Sequence, residues 1–209
     1  MAYDRDLVFY TNPMSRGRIV RWMLEEIGAP YRTEILDYGT TMKAPEYLAI
    51  NPMGKVPAIR HGDTIVTECP AICAYLADAF PDAGLAPALD GRGEYYRWLF
   101  FAAGPLEAAV TNRSLGFEPP TDKQGRVGYG SFGAVMDTLE RAIALGGYIA
   151  GERFSAADVY VGSHIGWGLE FGSIERRPGF AEYWSRVSDR DAYRRASELD
   201  DAAIPAKPE

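Results

Sequence analysis

The first part of the chain alternates between patterns typical of strands and of helices. Residues 7–10 form a short apolar run that predicts a buried strand, and the Thr-Asn-Pro sequence at residues 11–13 breaks it. Apolar residues four positions apart within residues 15–27 predict an amphipathic helix, which Gly28 ends. Alternation over residues 31–36 predicts a second strand, and a strand, helix, strand order favours a parallel pair with a right-handed crossover.

A second group of elements follows a polar stretch. Two short apolar runs, residues 56–59 and 64–67, flank four residues at 60–63 with the composition of a hairpin loop. Pro70 stands where the first residue of a helix would, and residues 71–80 continue the helical spacing. The N-terminal part is therefore predicted to be β-α-β followed by β-β-α.

Beyond this point the pattern is helical. Residues 85–90 are predicted to be a linker between a domain at 1–84 and an all-helical domain at 91–209. Pro105 is expected to bend the first helix of the second domain. The helical segments are predicted at residues 94–113, 131–145, 156–171 and 179–188.

Composition and charge exclude several classes of function. The net charge of −7 and the absence of a Lys/Arg cluster argue against a nucleic-acid partner. No run approaches the length of a membrane span, no secretory signal is evident, and two cysteines without an export signal favour a reducing compartment, so the cytoplasm is expected. His61 and His164 have no companions at ligand spacing, so no metal site is expected.

Four motifs in order carry a resemblance to a known family. They are residues 7–16 (Leu-Val-Phe-Tyr-Thr-Asn-Pro-Met-Ser-Arg), residues 51–57 (Asn-Pro-Met-Gly-Lys-Val-Pro), residues 67–76 (Thr-Glu-Cys-Pro-Ala-Ile-Cys-Ala-Tyr-Leu) and residues 154–158 (Phe-Ser-Ala-Ala-Asp). Together they resemble the glutathione transferases, and the first is similar to the loop of the theta- and phi-like classes that use a serine. One such motif would be a weak signal, but four in sequence are a strong one.

The resemblance implies a fold and an activity. The fold would be an α/β thioredoxin-like N-terminal domain joined to an all-α helical bundle. The activity would be conjugation of the glutathione thiolate to apolar electrophiles by a homodimer, with glutathione as co-substrate and no other cofactor. Two alternatives stay open, namely a glutathione-dependent peroxidase or disulfide reductase, and a binding module of the same fold without catalysis.

Ser15 is the candidate for activating the thiol. Free glutathione has a cysteine-like thiol with a pKa of about 8.5, and the thiolate is the nucleophile. A hydroxyl that donates to the sulfur would lower this pKa by about one to two units. Serine is also a favoured helix cap, which is the alternative role for Ser15. Tyr10 and Asn12 are rival activating groups by comparison with other classes of the family.

Residues 43 and 55–57 are predicted to bind the cysteinyl and glycyl parts of glutathione. The resemblance implies a cis bond between Val56 and Pro57, which would present the backbone of Val56 to the ligand like an added strand. Lys55 and, more weakly, Lys43 are candidates for the glycine carboxylate. Met42 stands where phi-like members often have histidine, which puts that half of the contact in doubt.

Glu68 and Cys69 precede a helix start, where backbone N–H groups attract anions. The resemblance implies that they meet the γ-glutamyl end of glutathione. Cys69 replaces the usual serine, so its side chain is predicted to donate poorly, and a redox role for its thiol is a second possibility. In contrast, Ser155 and Asp158 are predicted to form a reciprocal helix cap with no catalytic part.

Overall fold

A computed structural model describes residues 6–205, so the outermost residues of both predicted domains, 1–5 and 206–209, lie outside it. The described residues form two compact units. One comprises the residues up to Leu85 together with those from Asp189 onward, and the other comprises Ala86–Ser188. None of the helices within residues 6–205 is long and apolar enough to cross a membrane.

The first unit is built on a mixed four-stranded sheet. Its strands are β1 (Leu7–Thr11), β2 (Arg32–Ile35), β3 (Ala58–His61) and β4 (Thr64–Thr67), in the order β2-β1-β3-β4. Strands β1 and β2 are parallel, as predicted, and β3 pairs antiparallel with both β1 and β4.

The α-helices of the described residues are α1 (Gly17–Ile27), α2 (Pro45–Leu48), α3 (Cys69–Ala79), α4 (Arg92–Phe101), α5 (Glu107–Ser114), α6 (Phe132–Ala144), α7 (Ala156–Phe171), α8 (Phe180–Ser188) and α9 (Asp191–Ala202). Helix α1 ends at Gly28 in the left-handed conformation, with φ of 66°, because only glycine adopts it without steric cost. The short helix α2 and the helix α9 were not predicted.

The alternation of β1 decides which helices cover each face of the sheet. Phe9 is fully buried and makes an edge contact with Tyr31, while the guanidinium of Arg21 from α1 lies 5.0 Å from the centre of its ring. The next residue, Tyr10, points to the other face and packs against Tyr47 of α2, with ring centres 5.7 Å apart. Helix α1 therefore lies on one face of the sheet and α2 on the other.

The hairpin between β3 and β4 is tighter than predicted. Arg60 and His61, assigned to the loop from composition, belong to β3 and pair with Ile65 and Thr64. The turn therefore contains only Gly62 and Asp63, with Gly62 at φ of 60°. His61 is buried despite its polar ring, because it stacks on Phe80 and hydrogen-bonds the hydroxyl of Tyr75 at 3.0 Å.

Helix α9 packs against α1 in the first unit. Ala192, Ala196 and Asp200 recur four residues apart and are buried. The two alanines allow close approach of the helix backbones, and Tyr193 makes an edge contact with Trp22 at 4.9 Å. The domain limits 1–84 and 91–209 remain a prediction that divides the chain by sequence. In space, α9 belongs with the N-terminal elements.

The second unit is helical. A π-helical turn at Ala102–Leu106 joins α4 to α5 and contains Pro105, where the sequence predicted a bend. Helix α7 spans the predicted residues and begins with a capping box in which Oδ2 of Asp158 accepts from the N–H and the hydroxyl of Ser155, at 2.9 and 3.0 Å. Oδ1 accepts from the N–H of Ile149 and the hydroxyl of Tyr183, both at 2.8 Å.

Candidate functional site

The sheet register brings the predicted site segments to one end of the sheet. Tyr10 pairs with Ala58, and Ala58 pairs with Thr67. The turn that follows β1, the loop that precedes β3 and the start of α3 after β4 therefore leave the sheet at the same end. Residues distant in sequence, Ser15, Val56 and Glu68, lie on these three segments.

Ser15 lies in the turn between β1 and α1 and is partly exposed. Its hydroxyl donates to the carbonyl of Asn12 at 2.6 Å and accepts from the N–H of Gly17 at 2.9 Å. The second contact satisfies an N–H of the first turn of α1, which is the capping role foreseen for this serine. The hydroxyl proton, however, is held only by a neutral carbonyl, and rotation about the Cβ–Oγ bond would free it for an anionic sulfur while Oγ stays in contact with the N–H of Gly17.

Asn12 fixes the turn that carries Ser15. Its side-chain amide donates to the carbonyl of Leu36 at 2.9 Å, and its side-chain oxygen accepts from the N–H of Met14 at 3.0 Å. On the other side of the turn, the hydroxyl of Tyr38 donates to the carbonyl of Met14 at 3.3 Å. Both ends of the Asn12 side chain are therefore engaged in building the turn.

Gly17 keeps the turn close to β1. A methyl group in place of its hydrogen would overlap the hydroxyl of Thr11 and lie 3.0 Å from the hydroxyl oxygen of Ser15. Glycine is thus required here by close approach of the first helical residue to the end of the strand. Arg16, by contrast, is exposed at the start of α1.

Tyr10, the rival to Ser15, belongs to the opposite face of the sheet. Its ring packs against a cluster of Met42, Tyr47 and Ala58. Its hydroxyl is the largest cause of a raised pKa of the Arg60 guanidinium. This position supports the core-packing role for Tyr10, and burial of Met42 in the same cluster leaves no exposed side chain where phi-like members have histidine.

The loop at residues 51–57 is held by contacts from within the first unit. The side-chain amide of Asn51 and the hydroxyl of Tyr47 both donate to the carbonyl of Lys55, at 2.7 and 2.6 Å. Asn51 also accepts from the N–H of Met53 at 3.1 Å. Because one carbonyl takes two donors, the backbone direction entering the Val56–Pro57 pair is fixed. Tyr47 was not singled out in the sequence, since its four-residue helix gives no periodic signal.

The peptide bond between Val56 and Pro57 is cis, as the resemblance implied. Neither backbone polar group of Val56 has a hydrogen-bond partner among residues 6–205. An extended peptide ligand could pair with these two groups without displacing a protein contact.

The two candidate lysines differ in their surroundings. The ammonium of Lys43 donates to the carbonyls of Gly54 at 2.7 Å and Met53 at 3.3 Å, so it already stabilises the loop. The side chain of Lys55 is exposed. Of the two, Lys55 is the one whose charge can reach a ligand without breaking a contact that shapes the site.

Glu68 has a backbone conformation unlike that of its neighbours. Its φ of 69° lies in the left-handed region that favours glycine, and among the described residues it is the only non-glycine with a positive φ. It precedes α3, and its side chain is exposed. Backbone strain of this kind costs about 1–3 kcal/mol and is concentrated at functional sites. No pattern in the sequence indicates it.

Cys69 is the first residue of α3 and is buried. Its thiol donates to the carbonyl of Arg16 at 3.4 Å, which ties the start of α3 to the residue after Ser15. The other cysteine, Cys73, lies one turn further along the same helix, where burial raises the pKa of its thiol to about 12. Cys73 therefore belongs to the core, as predicted.

Comparisons with known proteins agree with this arrangement. The family model "Glutathione S-transferase, N-terminal domain" matches residues 14–79, from the turn of Ser15 to the end of α3. Glutathione S-transferase F10 of Arabidopsis thaliana is 29% identical over 193 residues, which cover 83% of this chain and 88% of that protein. A glutathione transferase from Methylococcus capsulatus is 28% identical and superposes with a TM-score of 0.75 over 94% of this chain and 99% of its own.

The chain is similar to glutathione S-transferases along most of its length, and its N-terminal part matches the model of that family. Its thioredoxin-like sheet and its helical second unit are the fold of that family. A glutathione transferase homologue from Sulfitobacter, solved with bound glutathione, is also similar, with 28% identity and a TM-score of 0.73 over 95% of this chain and 99% of its own. No group of three or more metal-ligating side chains occurs in the part of this chain that the structure describes.

Proposed function

We propose that the protein is a glutathione transferase that conjugates the thiolate of glutathione to apolar electrophiles. The thiol of bound glutathione releases its proton to water, and the hydroxyl of Ser15 donates a hydrogen bond to the sulfur and so stabilises the thiolate. The sulfur then attacks an electrophilic carbon, a carbon–sulfur bond forms, and the leaving group departs with the electron pair. The observation that carries the proposal is the turn of Ser15, at the same end of the sheet as the open backbone of Val56 and the strained Glu68.

The energetics of the Ser15 hydroxyl favour this role. Without ligand its proton goes to the carbonyl of Asn12, a neutral acceptor. A hydrogen bond to a charged acceptor is worth about 1.5–3 kcal/mol, against about 1 kcal/mol for a neutral one. The hydrogen bond of the hydroxyl therefore becomes stronger when its proton turns to a thiolate. The N–H of Gly17 can still donate to the hydroxyl oxygen. The start of α1 adds a favourable dipole for negative charge.

The other segments bind the rest of the tripeptide. The N–H and C=O of Val56 pair with the cysteinyl backbone of glutathione. The cis bond to Pro57 presents these two groups of Val56 at the loop surface. Glu68 meets the γ-glutamyl amine, and the N–H of Cys69 at the start of α3 meets the γ-glutamyl carboxylate. Lys55 binds the glycine carboxylate, with Lys43 acting mainly on the loop.

A glutathione-dependent peroxidase or disulfide reductase, or a binding module of this fold, would use the same glutathione contacts. Ser15 separates the binding module from the enzymes, because a scaffold has no need of a hydroxyl aimed at the sulfur. Assays with an electrophile, a hydroperoxide and a mixed disulfide distinguish the enzymes from each other. As in the family, we expect a homodimer in the cytoplasm, and light scattering that gives a monomer mass at micromolar concentration would contradict the dimer.

The test is the ultraviolet absorbance of the thiolate in the binary complex, titrated against pH for wild type and Ser15→Ala. We expect the wild-type thiol pKa below that of free glutathione, and a rise of about one to two units in the variant, the size of one charge-assisted hydrogen bond. Turnover near neutral pH should fall, and much of the loss should disappear well above the free thiol pKa.

Ser155→Ala is the matched control, since it removes another serine hydroxyl at a helix start. It should lower stability and leave the thiol pKa unchanged. Coincident titration curves for wild type and Ser15→Ala would remove Ser15 from the mechanism and point to Asn12 or Tyr10. A wild-type thiol pKa equal to that of free glutathione would favour the binding module over the transferase.

A further inference from the structure

Helices α1 and α9 are joined by ion pairs along their whole length. The pairs are Arg18–Asp201 at 2.7 Å, Arg21–Asp200 at 3.1 Å, Glu25–Arg195 at 3.3 Å and Glu26–Arg190 at 2.6 Å. Among the paired residues, α1 carries arginines and then glutamates, whereas Arg190, at the N-cap of α9, and Arg195 precede the aspartates near the end of α9. Only an antiparallel alignment in this register satisfies all four pairs.

The pair of Arg21 and Asp200 is buried, with side chains 5% and 1% exposed. The same guanidinium donates to the hydroxyls of Tyr31 at 3.1 Å and Thr33 at 2.8 Å, so it joins α1, α9 and β2. Breaking a buried pair is costly, because it leaves an uncompensated charge. This contact therefore holds the end of α9 beside the second turn of α1.

The next residue along α9 reaches the turn of Ser15 through Arg18. One nitrogen of the guanidinium, Nη2, donates to Oδ1 of Asp201 at 2.7 Å, and the other, Nη1, donates to the carbonyl of Pro13 at 3.3 Å. Pro13 lies between Asn12 and Ser15. The guanidinium of Arg18 thus connects the carboxylate of Asp201 to the backbone of the turn that holds the Ser15 hydroxyl.

This bond completes the support of the turn. The carbonyl of Thr11 accepts from the N–H of Leu36 at 2.8 Å, and those of Asn12 and Met14 accept from Ser15 and Tyr38. The carbonyl of Pro13 accepts from Arg18, so four successive carbonyls are all engaged. Of these four donors, Arg18 is the one whose orientation depends on a side chain of α9.

We propose that Asp201 is a positioning residue for thiol activation, which acts by orienting Arg18 against the Pro13 carbonyl so that the Ser15 hydroxyl is aimed at the sulfur. The proposal rests on the proposed function of Ser15. It makes α9, which is distant in sequence from the turn, a part of the activating apparatus.

The sign of the effect separates positioning from simple charge compensation. Asp201 partly neutralises Arg18, and an uncompensated cation near the thiolate would lower the thiol pKa. Loss of orientation acts in the opposite direction, because a misdirected Ser15 hydroxyl stabilises the thiolate less. A rise in thiol pKa on removal of the Asp201 charge therefore reports positioning, and a fall reports charge alone.

The experiment compares Asp201→Asn with wild type and with the matched control Asp191→Asn. Asp191 is an exposed carboxylate paired with Arg194 at 2.6 Å on the same helix, at the end remote from the turn. Because the Asp201 side chain is 64% exposed and exposed ion pairs contribute little, we expect Asp201→Asn to raise the thiol pKa by about 0.2–0.5 unit, roughly a 1.5- to threefold loss of thiolate fraction at low pH, with little change in glutathione affinity. Asp191→Asn should show no shift.

Hydrogen exchange of the Met14 and Ser15 amides provides a second measurement that does not depend on activity. Both amides donate to Asn12, and their exchange should be faster in Asp201→Asn and unchanged in Asp191→Asn. An unchanged or lower thiol pKa in Asp201→Asn, or equal exchange in all three proteins, would overturn the proposal. A wild-type complex without a depressed thiol pKa would instead overturn the proposed function, while the exchange measurement would still judge the contact through Arg18.

Discussion

Two serines at helix starts, one in each unit, show how the same local chemistry leads to different roles. Ser155 is buried, and its N–H and hydroxyl both donate to the carboxylate of Asp158. Ser15 is partly exposed, and its hydroxyl donates to a neutral backbone carbonyl. The strongest acceptor available to Ser155 is inside the protein, whereas for Ser15 it would be a ligand. A capping serine can serve catalysis only where no internal anion already holds its proton.

The largest effect is expected for Asp158→Asn, which tests how firmly Ser155 is held. Both oxygens of Asp158 accept hydrogen bonds, and the amide group of asparagine would face donors that it cannot accept from. Each buried polar group left unsatisfied costs about 1–3 kcal/mol, so we expect a loss of about 3 kcal/mol or more in the free energy of unfolding. Urea denaturation measures the free energy of unfolding. A loss below about 1 kcal/mol would show that the capping box of Ser155 and Asp158 can rearrange.

A smaller effect is expected for Gly17→Ala, which alters the setting of Ser15. The added methyl group overlaps the hydroxyl of Thr11, and overpacking of this kind costs about 1–3 kcal/mol. The matched control is Gly93→Ala in α4, where an added methyl group meets nothing within 4 Å and should be neutral or stabilising by up to about 1 kcal/mol. If the two variants are equally stable, then the turn accommodates the methyl group and the close approach of Gly17 is unimportant.

The smallest effect is expected for Cys69→Ser, which adds a better donor at the same end of the sheet. If the thiol helps the γ-glutamyl carboxylate poorly, serine should tighten glutathione binding by about 0.5–1.5 kcal/mol, the range for one hydrogen bond. Calorimetry measures the change. Unchanged or weaker binding would indicate that the Cys69 side chain stays on the carbonyl of Arg16 and that its backbone N–H is the real contact.

The strand and helix patterns predicted most of the elements, because helices such as α1 and α7 bury apolar residues and are followed by a glycine, while a proline follows soon after β1. Helix α9 was not predicted because it is highly charged, and several of its charges, including the buried Asp200, pair with side chains of α1. The polar composition of residues 60–63 likewise concealed the end of β3, since His61 is buried by stacking and hydrogen bonding. Composition shows only how polar a segment is. The structures of α9 and of the end of β3 depend instead on contacts with residues distant in sequence.

For the candidate site, the sequence motifs located the three segments, and their roles remain predictions. What could not be read from the sequence is the state of each side chain without ligand. The ammonium of Lys43 is occupied by loop carbonyls, and the backbone of Glu68 is in the left-handed region. Both facts depend on the conformation of neighbouring backbone, which residue identity alone does not specify.

The pairing of α9 with α1 has a consequence for the order of synthesis. The ribosome makes Asp200 179 positions after its partner Arg21. Domains generally fold from the N-terminus during translation. The sheet-containing unit, however, is completed only by α9, which is made after the entire second unit. Until then the guanidinium of Arg21 has no counter-charge, and one side of α1 is uncovered. We therefore expect the nascent N-terminal part to be open to misassembly and to chaperone binding until α9 has been made.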